Sequence, residues 1–280
     1  MIRGRVRRTV APAARPLVRR WRTSGWRGYP RRPSGWLIGP PDFVGVGAQR
    51  AGTKWWYGVI CDHPEVQRAP VKEWHFFDRH YQTPFTPDDV RAYHRRFPRP
   101  PGLITGEWTP RYMHDFWTPP LLRRAAPDAK ILVLLRDPFA RYLSGLRHEL
   151  ASVKPAVRRR RRSYIEAMDA NDALSRSLYC RQLARIFESF DRGQVLVLQY
   201  ERCVEAPAAA LRRTYEFLGL PDPDHLPAFI EERVGKSYPS GEMPQLVANA
   251  ARNAILEDVN DLRSLVPETS TSGRRVAMRA

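Results

Sequence analysis

"VGVGAQRAGTKWW", residues 44–56, decides the fold. An apolar run ends in glycine, a Gly-containing loop follows, and a helix-forming stretch comes next. That strand–loop–helix order is where backbone amides and a helix N-terminus meet a phosphate. Counted from Gly47, the loop reads G-A-Q-R-A-G-T-K. This is the spacing of the nucleotide-binding pattern G-x-x-x-x-G-K-[ST] with the last two letters exchanged. Thr53 precedes Lys54 and Trp55 follows, so no hydroxyl comes after the lysine to hold magnesium. Gly45, Gly47 and Gly52 are expected to let backbone amides approach an anion, with Arg50, Thr53 and Lys54 as side-chain donors. An ordinary strand-to-helix turn reads the same way, and a lone glycine motif does not separate the two.

Outward from this loop, short apolar runs alternate with amphipathic stretches. Phe43–Gly47, Ile104–Trp108, Lys130–Leu135 and Gln194–Gln199 read as strands, the second the weakest. Helices are predicted over Thr53–Cys61, Pro138–Leu150, Ala173–Phe190, Pro207–Leu218 and 244–266. The expectation is an α/β fold: a single domain with a central, mainly parallel sheet flanked by helices. Ligands in such sheets bind at the carboxyl ends of the strands. The Lys130–Leu135 strand ends in Arg136 before Asp137, and an arginine there repels Mg²⁺ and welcomes a phosphate.

The net charge is +18, with 47 basic and 29 acidic residues. The first 40 residues hold eleven arginines and no carboxylate. They have few large apolar residues to bury, so 1–40 is read as a basic, disordered arm. It is suited to an anionic membrane surface, and it also has some transit-peptide character. Residues 41–268 are read as the folded domain and 269–280 as a flexible tail. The arginine run at 158–162 reads as a solvated loop. No stretch of about 18 apolar residues occurs, and the N-terminus lacks an apolar signal core. Three scattered cysteines fit neither a disulfide framework nor a zinc pattern, which suits a cytoplasmic compartment.

The segment "VGVGAQRAGTKWWYGVICDHPEV" resembles the opening loop of sulfotransferases that use 3′-phosphoadenosine 5′-phosphosulfate (PAPS). "KEWHFFD" at 72–78 is similar to a block of the carbohydrate branch, of the heparan sulfate type. "GEWTPRYM" at 106–113 resembles the following G-E-K-[ST]-P-x-Y block. "LVLLRDPFARYLSGLRHE" at 132–149 resembles the segment that holds a 3′-phosphate, and 177–220 the late strand and helix. The blocks come in family order over roughly 40–265. The resemblance implies a P-loop-like sulfotransferase fold and PAPS as sulfuryl donor, leaving as PAP, with no metal. It also implies an acceptor hydroxyl on a carbohydrate or glycosylated metabolite, and no specific nucleic acid partner.

On the same resemblance, Arg50, Ala51, Gly52, Thr53, Lys54 and Trp55 take the 5′-phosphosulfate. Arg136 and Ser144 take the 3′-phosphate. Tyr179, Arg181 and Lys236 fall at further nucleotide positions. Arg141 reads either as part of this set or as an ion-pair partner of Asp137. Glu73 is the candidate base, with His75 and Asp78 orienting the acceptor or tuning Glu73; His75 is the alternative base. Glu73 can equally be read as a salt-bridge partner of Lys72. Lys72, Asp78 and Trp108 are the candidate acceptor contacts. The chain departs from the family in two places. The loop lysine is Arg50, with Lys54 in place of a second hydroxyl, and the lysine of G-E-K-[ST] is Trp108. Arg50 and Lys54 are therefore both candidates for stabilising the leaving phosphate. A magnesium-dependent kinase and a non-catalytic polyanion binder are the competing readings.

Overall fold

The computed structural model describes residues 32–152, 172–223, 225–232, 243 and 245–265. They contain five strands: β1 (Phe43–Gly47), β2 (Val66–Arg68), β3 (Ile104–Trp108), β4 (Lys130–Leu135) and β5 (Val195–Gln199). All pair in parallel, in the order β2-β3-β1-β4-β5. β1 is buried along its whole length, as a central strand with helices on both faces must be. Phe43 is level with Gly106 of β3 on one side and Lys130 of β4 on the other. The chain leaves β1 toward β2 and β3, then returns to its opposite edge as β4. That reversal opens a crevice at the carboxyl end of β1.

The helices are α1 (Thr53–Ile60), α2 (Pro87–His94), α3 (Thr118–Ala125), α4 (Pro138–Ser152), α5 (Cys180–Ser189), α6 (Tyr200–Glu205), α7 (Pro207–Leu218) and α8 (Gln245–Leu265). α1 and α4 each start directly after a central strand, so both N-termini face the crevice. α7 ends as its sequence predicts, with Gly219 in the left-handed conformation. The main core joins the sheet to α1, α5 and α7, and Tyr142, Leu146, Ala251, Ile255 and Val259 join α4 to α8.

The sequence reading of one helix over Ala173–Phe190 is corrected. Ser175–Ser177 is a separate 3₁₀ turn, Leu178 is extended, and α5 begins at Cys180. The break is fixed by side chains. Buried Arg141 donates to Ser177 Oγ at 2.8 Å and to the Ala173 carbonyl at 2.5 Å. Asp258 of α8 accepts the Tyr179 and Cys180 amides at 2.6 and 3.1 Å, capping α5 from outside. Residues 32–40, counted above with the arm, follow the domain surface: Leu37 forms an antiparallel bridge with Arg99. Residues 1–31, the arginine run at 158–162, Lys236 and the 269–280 tail lie outside the described residues.

Candidate active site

The three loop glycines are required by packing. A Cβ at Gly45 would fall inside the Trp108 indole, and one at Gly47 inside the Met113 side chain. A Cβ at Gly52 would lie 2.7 Å from the Tyr200 ring, and its φ of +87° already favours glycine. This corrects the expectation that Gly45 and Gly47 serve close approach to an anion. They let the β1 backbone settle against Trp108 and Met113, and so set where the loop emerges. Trp108 is fully buried, and its Nε1–H donates to the Gly47 carbonyl at 3.1 Å. It presents no face to an acceptor, and the expected acceptor contact at this position is withdrawn.

At the loop's end, Gly52 opens α1 with no side chain capping it. The orphan amides of that first turn face the crevice. Thr53 is buried, Lys54 half-buried, and Ala51 fully enclosed. Trp55 is corrected: its indole donates to the Ile230 carbonyl and its amide to Gly52, so it anchors the helix from behind. Arg50 has a left-handed φ of +70° and donates through Nε to Ser144 Oγ of α4 at 3.3 Å. Backbone strain of this kind persists where the surroundings over-determine it, and it collects at functional sites. Arg136, just past β4, donates to the Arg50 carbonyl at 3.3 Å and lies 5.3 Å above the Tyr200 ring.

Tyr179 is fully buried, and its hydroxyl donates to the Arg136 carbonyl at 3.1 Å. It supports Arg136 and offers nothing to a ligand, another correction. Arg141 does not pair with the Asp137 carboxylate; it is the buried brace described above. Burial brings its pKa down to about 10, with Arg176, Arg50 and Arg136 adding repulsion. Arg176, Arg50 and Arg136 therefore stand within electrostatic reach of Arg141, near the carboxyl ends of β1 and β4. Arg181 is exposed and its charge faces Asp258 of α8.

A second cluster lies beside this one. Lys72 is buried, and its ammonium uses three acceptors: Glu73 Oε1 at 2.8 Å, the Trp108 carbonyl at 2.9 Å and Thr53 Oγ1 at 3.4 Å. An ammonium has three donors, so this set saturates it. Burial lowers the Lys72 pKa, while the Glu73 and Glu107 charges support it. His75, at φ +51°, places Nε2 3.6 Å from Glu73 Oε2 and Nδ1 3.0 Å from Asp78 Oδ2. Burial alone raises the Glu73 pKa, but Lys72 and His75 overcome it and hold Glu73 near 2. Hydrogen bonds to Asp78 and Glu73 raise His75 to about 10. Lys72, Glu73, His75 and Asp78 thus alternate in sign along one short run.

Sequence reasoning missed Glu107. Fully buried in β3, it accepts Tyr93 Oη–H at 2.7 Å, Thr109 Oγ1–H at 2.6 Å and the Trp74 amide at 3.2 Å. Tyr112 Oη accepts the Phe76 amide at 2.8 Å. The 106–113 block therefore clamps the 72–78 block from beneath. A carboxylate inside an otherwise buried strand was the available signal. Among the described residues no group of His, Cys, Asp and Glu is arranged to hold a metal, and no helix is long and apolar enough to cross a membrane.

Residues 40–245 match the family described as the sulfotransferase domain. Heparan sulfate glucosamine 3-O-sulfotransferase 3B1 of Mus musculus is 32% identical over 188 residues, covering 64% of this chain and 46% of that protein. The human 3-O-sulfotransferase 6 is 30% identical over 185 residues, covering 64% and 52%. The chain thus spans about half the length of the curated relatives it matches. A sulfotransferase from Alicyclobacillus acidocaldarius superposes with a TM-score of 0.61 at 24% identity, covering 81% of this chain and 96% of that one. The sulfotransferase domain of the Synechococcus olefin synthase gives 0.51 at 16% identity, covering 86% and 99%. These two likenesses concern the fold, and the match over 40–245 gives the family: this chain belongs to the sulfotransferase domain family.

Proposed function

We propose that the protein transfers a sulfuryl group from PAPS to a carbohydrate hydroxyl. One observation carries the reading. The Lys72 ammonium joins Thr53 of the anion-binding loop to the Glu73 carboxylate, at 3.4 and 2.8 Å. One ammonium therefore bridges the anion-binding loop and an ionised carboxylate, which supports donor and base acting in one crevice. The crevice also fits a donor with two phosphate groups. Three arginines gathered around Arg141 and an uncapped helix N-terminus support a polyanion as the ligand. The heparan sulfate relatives support a carbohydrate acceptor.

When bound, PAPS supplies a sulfuryl group on a phosphate leaving group. Arg50, Thr53 and Lys54, with the amides around Gly52, hold its phosphosulfate end. Arg136 and Ser144 hold its 3′-phosphate, with Arg136 suited to bidentate contact. Glu73 takes the acceptor's proton, ionised at any working pH. His75 keeps its own proton below about pH 10, so it orients Glu73 and does not serve as the base. Lys72 supplies the cation that Trp108 cannot. Held between Thr53 and Glu73, the Lys72 ammonium would offset charge developing on a leaving phosphate at the loop.

Calorimetric titration with PAP and with ATP–Mg²⁺ tests the reading. Micromolar PAP binding with weak ATP–Mg²⁺ binding supports it. Absence of PAP binding, or a clear preference for ATP–Mg²⁺, would sink it.

A further inference from the structure

Among the described residues, Tyr81 and Phe116 are the aromatic side chains more than half exposed, at 59% and 58%. They touch each other, with ring centroids 6.3 Å apart and planes at 88°. Trp117 completes the group, 4.8 Å from Tyr81 and 5.2 Å from Phe116. Its indole N–H donates to the Phe77 carbonyl at 3.1 Å, which fixes it against the segment carrying His75 and Asp78. Two elements distant in sequence thus build one exposed aromatic surface. Leaving large rings in water is unfavourable, and clustered rings mark an interaction site.

Its position assigns the partner. Asp78–Tyr81 is a 3₁₀ turn, in which residues i and i+3 eclipse. Tyr81 therefore stands on the same face as Asp78, about 6 Å further on at ~2 Å per residue. Asp78, an expected acceptor contact, binds His75, which faces Glu73. Counted from Asp78, the offset to Tyr81 is about one sugar ring. A pyranose offers an apolar C–H face that stacks on aromatic rings, while its hydroxyls stay in water. The Arg185 guanidinium, 6.0 Å from the Phe116 ring, leaves room for an acidic substituent at that edge.

We infer that Tyr81, Phe116 and Trp117 form a stacking subsite for the sugar ring next to the one being sulfated, so that the acceptor is an oligosaccharide. The inference rests on the transfer reading above. Three probes are titrated against the PAP-loaded protein by ligand-observed NMR: methyl β-D-glucosaminide, its β-1,4-linked disaccharide, and phenyl β-D-glucosaminide. The disaccharide is expected to bind about five-fold tighter than the methyl glycoside, the scale of one aromatic contact. Phe116→Ala and Tyr81→Ala each bring that ratio to about one and leave PAP affinity unchanged. Both positions are exposed, and a thermal melt verifies folding. A wild-type ratio of one, or a ratio the variants do not move, overturns the subsite. Tight binding of the phenyl glycoside alone overturns the assignment to sugar. Loss of PAP binding in wild type is a different failure, that of the transfer reading.

Discussion

The crevice has two sides built on opposite electrostatic plans. The side formed by the ends of β1 and β4 gathers Arg50, Arg136 and Arg176 around buried Arg141, whose charge they oppose. The side formed by residues 72–78 alternates ammonium, carboxylate, imidazolium and carboxylate, each within 4 Å of the next. On the first side an anion would offset the charges that oppose Arg141. The second is already neutralised and asks for no charge from its partner. On the proposed reading, one crevice keeps a polyanionic donor on the first side and an acceptor hydroxyl on the second.

That contrast is open to attack in graded steps. Glu73→Gln tests the neutralised side most severely. Transfer should fall about 10³-fold, the scale of a lost general base, while PAP affinity holds within two-fold. A variant turning over at the wild-type rate removes Glu73 from the chemistry. Lys72→Met should cost about 10²-fold in kcat and raise the pH needed to ionise Glu73, seen as a shift of the acidic limb of the rate profile. An unchanged limb would make Lys72 purely structural.

Arg136→Ala tests the repelling side. PAP should bind about 10-fold weaker or worse, while apo stability moves by under about 1 kcal/mol, because a repulsion is lost along with the contact over Tyr200. A large loss of apo stability with intact PAP binding would reverse the contrast.

The smallest effect is pH-linked. His75 is raised in the folded protein to about 10 from an ordinary value near 6.5. Its contribution is full below pH 6.5 and lost as pH rises through 10. The stability difference between wild type and His75→Gln should therefore shrink over that range. Glu73 works in the other direction: its contribution is present above about pH 4.5 and lost as pH falls toward 2. Melts at matched ionic strength measure both.

The parts readable from sequence were those fixed by local order. β1, β3 and β4 have the bounds their apolar runs predict, and Arg50 reaches Ser144 while Arg136 reaches the Arg50 carbonyl. The remainder depends on which side chain faces which. β2 is three residues long and shows no period. The break at Leu178 comes from Arg141 and from Asp258, 79 residues after Tyr179. Trp55, Trp108 and Tyr179 sit in motif positions yet point into the core, and backbone periodicity alone could not distinguish a motif residue that contacts a ligand from one that props up its neighbour. Lys72 was legible as a cation, but its three acceptors come from three segments.

The fit of the Trp108 indole over Gly45 bears on how this sequence can change. Restoring the lysine found at this place in related G-E-K-[ST] blocks is not a single-letter reversal. Trp108→Lys alone would leave a hollow over Gly45 and bring a second ammonium close to that of Lys72. Gly45→Ala alone drives a methyl into the indole, at a cost of roughly 2 kcal/mol or more. Positions 45 and 108 are therefore coupled: a side chain at 45 needs the indole gone from 108. A designer who replaces Trp108 has to refill the space over Gly45 in the same step.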